Sequence, residues 1–155
     1  MKQNYLVIPL IVIIIAIWGG LITSGGMVWY ETIKLPAWTP SGVAIGIVWM
    51  VIFVLSAASA LIIWNKKSKR DQKFWIIILI FILNALLNIL WSNLFFGRGL
   101  IGLAAIEAVV MDLTVIALVA LIWPLSKLAS SLLLPYAGWV IFAIYLNYVI
   151  WILNR

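Results

Sequence analysis

The chain contains no cysteine and no histidine among its 155 residues. That excludes disulfide frameworks, thiol nucleophiles, Cys- or His-held zinc, Cys-ligated clusters and His- or Cys-ligated haem. Neither a metal ion nor a cofactor is expected. Charge is almost as scarce: 9% of residues are charged, and Asp and Glu together number only 4. So little ionisable equipment leaves few ways to build an acid–base dyad.

What is there is apolar. Hydrophobic residues make up 67% of the chain. A soluble domain cannot hide that much apolar surface, so the sequence is that of an integral membrane protein. Crossing ~30 Å of hydrocarbon takes about 20 helical residues. Runs of that length occupy residues 5–26, 42–64, 74–96, 100–123 and 132–153. They are continuously apolar rather than alternating, which predicts helices and not a barrel. The expected fold is all-α: one domain, a bundle of five transmembrane helices. The first run reads as a span rather than a signal peptide, because it is long and lacks an A-x-A site.

Basic residues sort by side. Lys2, Lys66, Lys67, Lys69, Arg70, Lys73 and Lys127 share one side, and Lys34, Arg98 and Arg155 the other. The positive-inside bias predicts a cytoplasmic N-terminus and an outer C-terminus. The stretch "NKKSKRDQK" (65–73) is read as a topogenic loop beside anionic lipid, not as a nucleic-acid site. On the outer side, "VWYETIKLPAWTPS" (28–41) holds Tyr30, Trp38 and two prolines. Interfacial anchoring and a structured lid are both open readings of it.

Polar groups inside the spans are the informative ones. Asn84, Asn88, Trp91 and Phe95 follow i, i+4, i+7, i+11 and share a helical face. Amides in hydrocarbon need partners, so that face points into the bundle. It serves either as interhelical glue or as a cavity wall. Trp49 stands in the second span, Glu107 and Asp112 in the fourth, and Tyr136, Trp139, Ala143, Leu146 and Asn147 in the fifth. Glu107 and Asp112 are five apart, so they do not form a pair on one face. Glu107, Asp112 and Tyr30 are candidates for the pocket or for packing. At ~1.5 Å per residue, Trp49, Trp91, Glu107 and Asn147 lie about 8–11 Å below the outer end. Asn84, Ala143 and Asp112 lie about 16–18 Å down, and Trp139 near 20 Å. The pattern predicts a pocket in the outer half, floored by Trp139 and covered by residues 28–41. Indoles and amides without metal ligands suit flat lipophilic molecules such as a metal-free tetrapyrrole, a sterol or a heterocycle. Small residues at "GVAIG" (42–46), "SAASA" (56–60) and Ala104/Ala108 predict close helix packing or a dimer face.

Three segments carry a resemblance: "LPAWTPSG" followed by Trp49, "LNILWSNLFF", and "LPYAGWVIFAIYLNYVIWILN". Together they resemble the TspO/translocator protein family, the tryptophan-rich sensory proteins or peripheral benzodiazepine receptors. The resemblance implies a five-helix bundle, a homodimer, and a pocket beneath the first loop. It implies porphyrins, cholesterol and benzodiazepine-type drugs as ligands. Carried over, it makes Trp49, Asn84, Asn88, Trp91, Trp139, Ala143, Leu146 and Asn147 ligand-binding candidates, and puts Trp38 and Pro40 in the lid. It also implies an alternative: light-dependent protoporphyrin breakdown with Trp49 and Trp139 as reactive aromatics. A tetrapyrrole or sterol transporter is the remaining reading. Relatives often read W-x-P-P where this chain has Pro40-Ser41. The L/V-x₁₋₅-Y-x₁₋₅-K/R cholesterol pattern is missed by one residue at Arg155. The short chain and tails fit a bacterial member.

Overall fold

The computed structural model describes residues 4–66 and 71–155. Lys2, Lys67, Lys69 and Arg70, on which much of the sidedness reading rests, lie outside the described residues. The chain forms α1 (Asn4–Tyr30), α2 (Gly42–Lys66), α3 (Gln72–Ser92), α4 (Ile101–Ile122), a short α5 (Lys127–Ser131) and α6 (Leu134–Leu153). A π-helical turn, Asn93–Gly97, extends α3. Five helical segments are long and apolar enough to cross a membrane, the fifth being Lys127–Leu153. The all-α reading holds, and the protein is an integral membrane bundle.

Boundaries moved in two places. The first helix runs on through Val28, Trp29 and Tyr30, so the loop is residues 31–41 rather than 28–41. Nothing in Val28–Tyr30 breaks a helix, and the first proline comes only at Pro36. The fifth span, expected over 132–153, begins as α6 only at Leu134 and is preceded by the separate short helix α5. Ser126 caps α5, its Oγ accepting from the Ala129 amide at 3.3 Å, and Pro135 stands in the first turn of α6, where its missing N–H costs nothing.

The two faces of the bundle are called here the N side, where α1 starts, and the C side, where α1 ends. α4 is the central post, packed against α3 on one flank and α6 on the other. Its buried residues Ala104, Ala108, Met111, Val115 and Leu118 form one face, while Leu103, Ile106, Val110 and Leu113 on the opposite face are exposed. Ala104 and Ala108 are completely buried, which lets neighbouring backbones come close. α2 meets α5 through Ser59, whose hydroxyl donates to the Ala129 carbonyl at 2.8 Å. At the N side, the Asn4 amide donates to Asn65 Oδ1 at 3.0 Å and pins α1 to α2. At the C side, α1 lies on the π turn, and Gly26 makes this possible: a Cβ there would sit 2.3 Å from the Phe96 carbonyl oxygen. Gly99 then turns the chain into α4 with φ +64, a conformation open to glycine.

α1 and α2 lean on each other and reach the rest of the bundle chiefly at its ends. Between them and the α3–α4–α6 wall a space remains.

Candidate ligand cavity

That space is a single cavity of about 970 Å³. α1 gives it one stripe, from Pro9 through Gly19 to Tyr30, and α2 another, from Leu61 through Trp49 to Gly42. α3 enters with Asn88, Trp91 and Ser92, the π turn with Phe95 and Phe96, and α6 with Trp139, Phe142, Ala143, Leu146, Asn147 and Ile150.

The wall on the C side is aromatic. Trp91 stacks on Phe95, with centroids 5.4 Å apart and an angle of 14°. Trp49 leans on Trp91 at 6.4 Å and takes the edge of Tyr136 at 5.9 Å. Tyr30 packs on Phe96 at 5.4 Å. Trp139 lies against Phe142 at 5.2 Å. The π turn explains how one helix presents Trp91, Phe95 and Phe96 together. The extra residue in the turn puts both phenylalanines on the α1 side, with centroids 4.9 Å apart.

Polar atoms are few and mostly donors. Trp91 Nε1, Trp139 Nε1 and Asn147 Nδ2 are buried without a hydrogen-bond partner among the described residues, and all three residues line the cavity. A buried unpaired N–H is costly, so a molecule bringing acceptors to these groups gains from meeting them.

Of the residues singled out in the sequence, Trp49, Asn88, Trp91, Trp139, Ala143, Leu146, Asn147 and Tyr30 come together on this lining. Four do not. Asn84 turns to α4, its amide donating to Thr114 Oγ1 at 2.8 Å and to the Met111 carbonyl at 3.4 Å. Asn84 and Asn88 share a face of α3, but α4 covers the N-side part of that face. Glu107 and Asp112 are buried on α4, within electrostatic range of Tyr136, and neither lines the cavity. Both Glu107 oxygens and Asp112 Oδ1 lack a partner among the described residues. Trp38 stacks on Tyr145, centroids 5.5 Å and 11° apart, and meets the edge of Phe142. It therefore lies against the outer flank of α6, not on the lining.

The floor expected at Trp139 is not the end of the cavity, which continues along α1 and α2 to Pro9 and Leu61. Sequence reasoning missed this arm because its lining is as apolar as a lipid-facing stripe. It also missed Phe53, one turn from Trp49 and 5.8 Å from it. The "GVAIG" glycines, read as a packing seam, face the cavity, and a Cβ on Gly42 or Gly46 would meet nothing.

Fold and cavity define the class: a membrane-embedded helical bundle enclosing an aromatic-walled chamber. Within that class, the chain belongs to the TspO/MBR family, whose pattern it matches over residues 7–152. It is similar to the tryptophan-rich protein TspO of Bacillus cereus, 35% identical over 126 residues, covering 81% of this chain and 80% of that one. It is 38% identical over 123 residues to the membrane protein YtaB of Bacillus subtilis, covering 79% of this chain and 77% of the relative. Likeness extends to the human translocator protein, at 26% over 126 residues, covering 81% and 75% of the two chains.

Proposed function

We propose that the protein is a membrane receptor for porphyrin-type tetrapyrroles and benzodiazepine-type lipophilic ligands, acting in tetrapyrrole handling or stress sensing. One observation supports the reading: a chamber walled by Trp49, Trp91, Phe95 and Trp139, three of whose lining residues, Trp91, Trp139 and Asn147, carry a buried donor without a partner among the described residues. Flat rings stack on indoles at ~0.5–1.5 kcal/mol per pair beyond area burial. Ligand carbonyl or carboxylate oxygens answer the donors of Trp91, Trp139 and Asn147. Among the described residues no charged side chain lines the cavity, so a metal-free, weakly polar ring system is favoured over a cation. On this reading the receptor is a homodimer in a bacterial cell membrane, with the C side outward as the basic residues suggest. The test is a titration of purified protein with protoporphyrin IX followed by tryptophan quenching. Saturable binding weakened by Asn147→Ala supports the reading, and unsaturable or unchanged quenching removes it.

A second reading has its own support. Trp49 and Trp139 line the same chamber, so an excited porphyrin there has indoles at van der Waals range. Light-dependent protoporphyrin degradation would use them. Trp49→Phe and Trp139→Phe are expected to bind pigment and lose the photoproduct; equal product from both variants means simple bleaching.

A further inference from the structure

The cavity has two ends of different chemistry. Toward the C side, beyond Gly19, its lining includes Thr23, Ser24, Asn88, Ser92 and Asn147. Toward the N side, past Asn88 on α3 and Trp139 on α6, only α1 and α2 remain. There the walls are Pro9, Val12, Ile13 and Ala16 against Val54, Ala57, Ala58 and Leu61, with no polar side chain among them. Two helices cannot enclose a space, so this arm is a groove open sideways. Exposure locates the opening: Ile13 is 53% exposed and Val54 63%, yet both line the cavity. The groove has a stop at its N-side end, the Asn4–Asn65 amide pair. Small side chains, Ala16, Ala57 and Ala58, keep it wide.

We infer that the arm is a binding site for one acyl chain of a bilayer phospholipid. Its length decides for a lipid of the N-side leaflet. From Pro9 to Gly19, whose Cβ would lie 3.5 Å from Ser92 Oγ at the start of the chamber, α1 rises about 15 Å. That is half of the ~30 Å hydrocarbon layer, the depth of one leaflet. A chain entering sideways from that leaflet lies along the groove without changing depth, and its terminal methyl reaches the aromatic chamber. The headgroup stays at the interface, where Lys66 ends α2 and suits an anionic phosphate. The cavity thus takes two occupants: a ring ligand in the chamber and a lipid chain beside it. The site does not depend on which ring ligand fills the chamber.

The test uses the full chain and phosphatidylglycerol. Native mass spectrometry of detergent-purified protein is expected to show one lipid retained. Ala16→Phe combined with Ala57→Phe fills the groove and is expected to cut retention at least tenfold. Leu86→Phe, on a lipid-facing part of α3, is expected to leave it unchanged. Equal retention in the double variant and wild type overturns the inference. Wild-type protein gives an independent arm: phosphatidylglycerol with a mid-chain diazirine should label Ala16, Ala57 or Ala58. Label confined to outward residues such as Leu79 and Leu86 overturns it, whether or not the double variant folds. Protoporphyrin titrated in parallel separates the two readings. Lost pigment binding with retained lipid removes only the tetrapyrrole receptor, and the reverse removes only the lipid site.

Discussion

The side-chain amide of Asn154 pairs with both backbone groups of Lys34: Oδ1 accepts from the Lys34 N–H at 2.8 Å and Nδ2 donates to the Lys34 carbonyl at 2.9 Å. Nδ2 also donates to the Ile150 carbonyl at 2.8 Å, which fixes the amide on the last turn of α6. The loop between α1 and α2 is therefore clasped to the far end of the chain, and Trp38 on Tyr145 is a second fastening on the same helix. These two fastenings hold the loop against α6.

Removing the clasp should speed escape from the cavity more than it weakens binding. Two exposed hydrogen bonds, at the low end of the ~0.5–1.5 kcal/mol range each, amount to about 1–1.4 kcal/mol of loop docking. Asn154→Ala is expected to raise the dissociation rate of a bound porphyrin about five- to tenfold, with Trp38→Ala in the same direction. Stopped-flow displacement measures it. An unchanged rate in both variants means that ligand leaves elsewhere, the open seam between α1 and α2 being the available route.

The two asparagines of α3 should separate cleanly. Asn88 lines the cavity, so Asn88→Ala is expected to weaken a ligand that hydrogen-bonds there by ~1–3 kcal/mol. Asn84 spends its amide on Thr114 and Met111, so Asn84→Ala should cost stability, ~0.6–2 kcal/mol, and leave affinity alone. Quenching titrations and thermal unfolding in detergent give the two readouts. Equal losses of affinity would mean that Asn84 reaches the ligand after all.

This contrast shows what the sequence could and could not carry. The five spans were legible because hydrocarbon thickness alone fixes the length of an apolar run. The aromatic chamber was legible because Trp91 and Phe95 recur at helical spacing, and because amides are rare in a bilayer. Which asparagine faces the cavity was not, since α3 shows one face to two neighbours and only the packing of α4 against Asn84 divides it. The N-side arm left no trace, because Val12 against a cavity and Val12 against lipid read alike. The clasp was invisible for another reason: Asn154 meets a backbone, and no side-chain pattern marks Lys34 as its partner.

Glu107 makes a case about charge. It is 7% exposed, and neither carboxyl oxygen has a hydrogen-bond partner among the described residues. Burying an unpaired negative charge inside a bilayer is expensive, so a neutral side chain of the same shape should do as well. Glu107→Gln is expected to leave the unfolding free energy within about 1 kcal/mol of wild type, or above it. Glu107→Lys should fail to accumulate in the membrane. A large loss of stability in the Gln variant would show that the carboxyl group holds something the amide cannot.

Of the glycines, Gly26 has the least room for a side chain, and its substitution has a definite sign. A methyl there would lie 2.3 Å from the Phe96 carbonyl oxygen and 2.7 Å from its carbon. These are backbone atoms of the π turn, held on both sides: Gly99 N–H donates to the Phe95 carbonyl at 3.1 Å, and Leu100 N–H to the Leu94 carbonyl at 2.9 Å. They cannot swing aside as a flexible side chain would, so α1 has to move away from the turn. Gly20 lies on the same helix, and a Cβ there would meet nothing, which makes Gly20→Ala the matched control for helix propensity. Gly26→Ala is expected to lower stability by ~1–3 kcal/mol. It should also loosen the chamber, because Tyr30 would lose its seat on Phe96. Gly20→Ala is expected to be neutral or mildly stabilising, as the alanine raises helix propensity without a clash. Thermal unfolding of the pair decides the point: equal melting temperatures would mean that α1 does not lie on the π turn as closely as described.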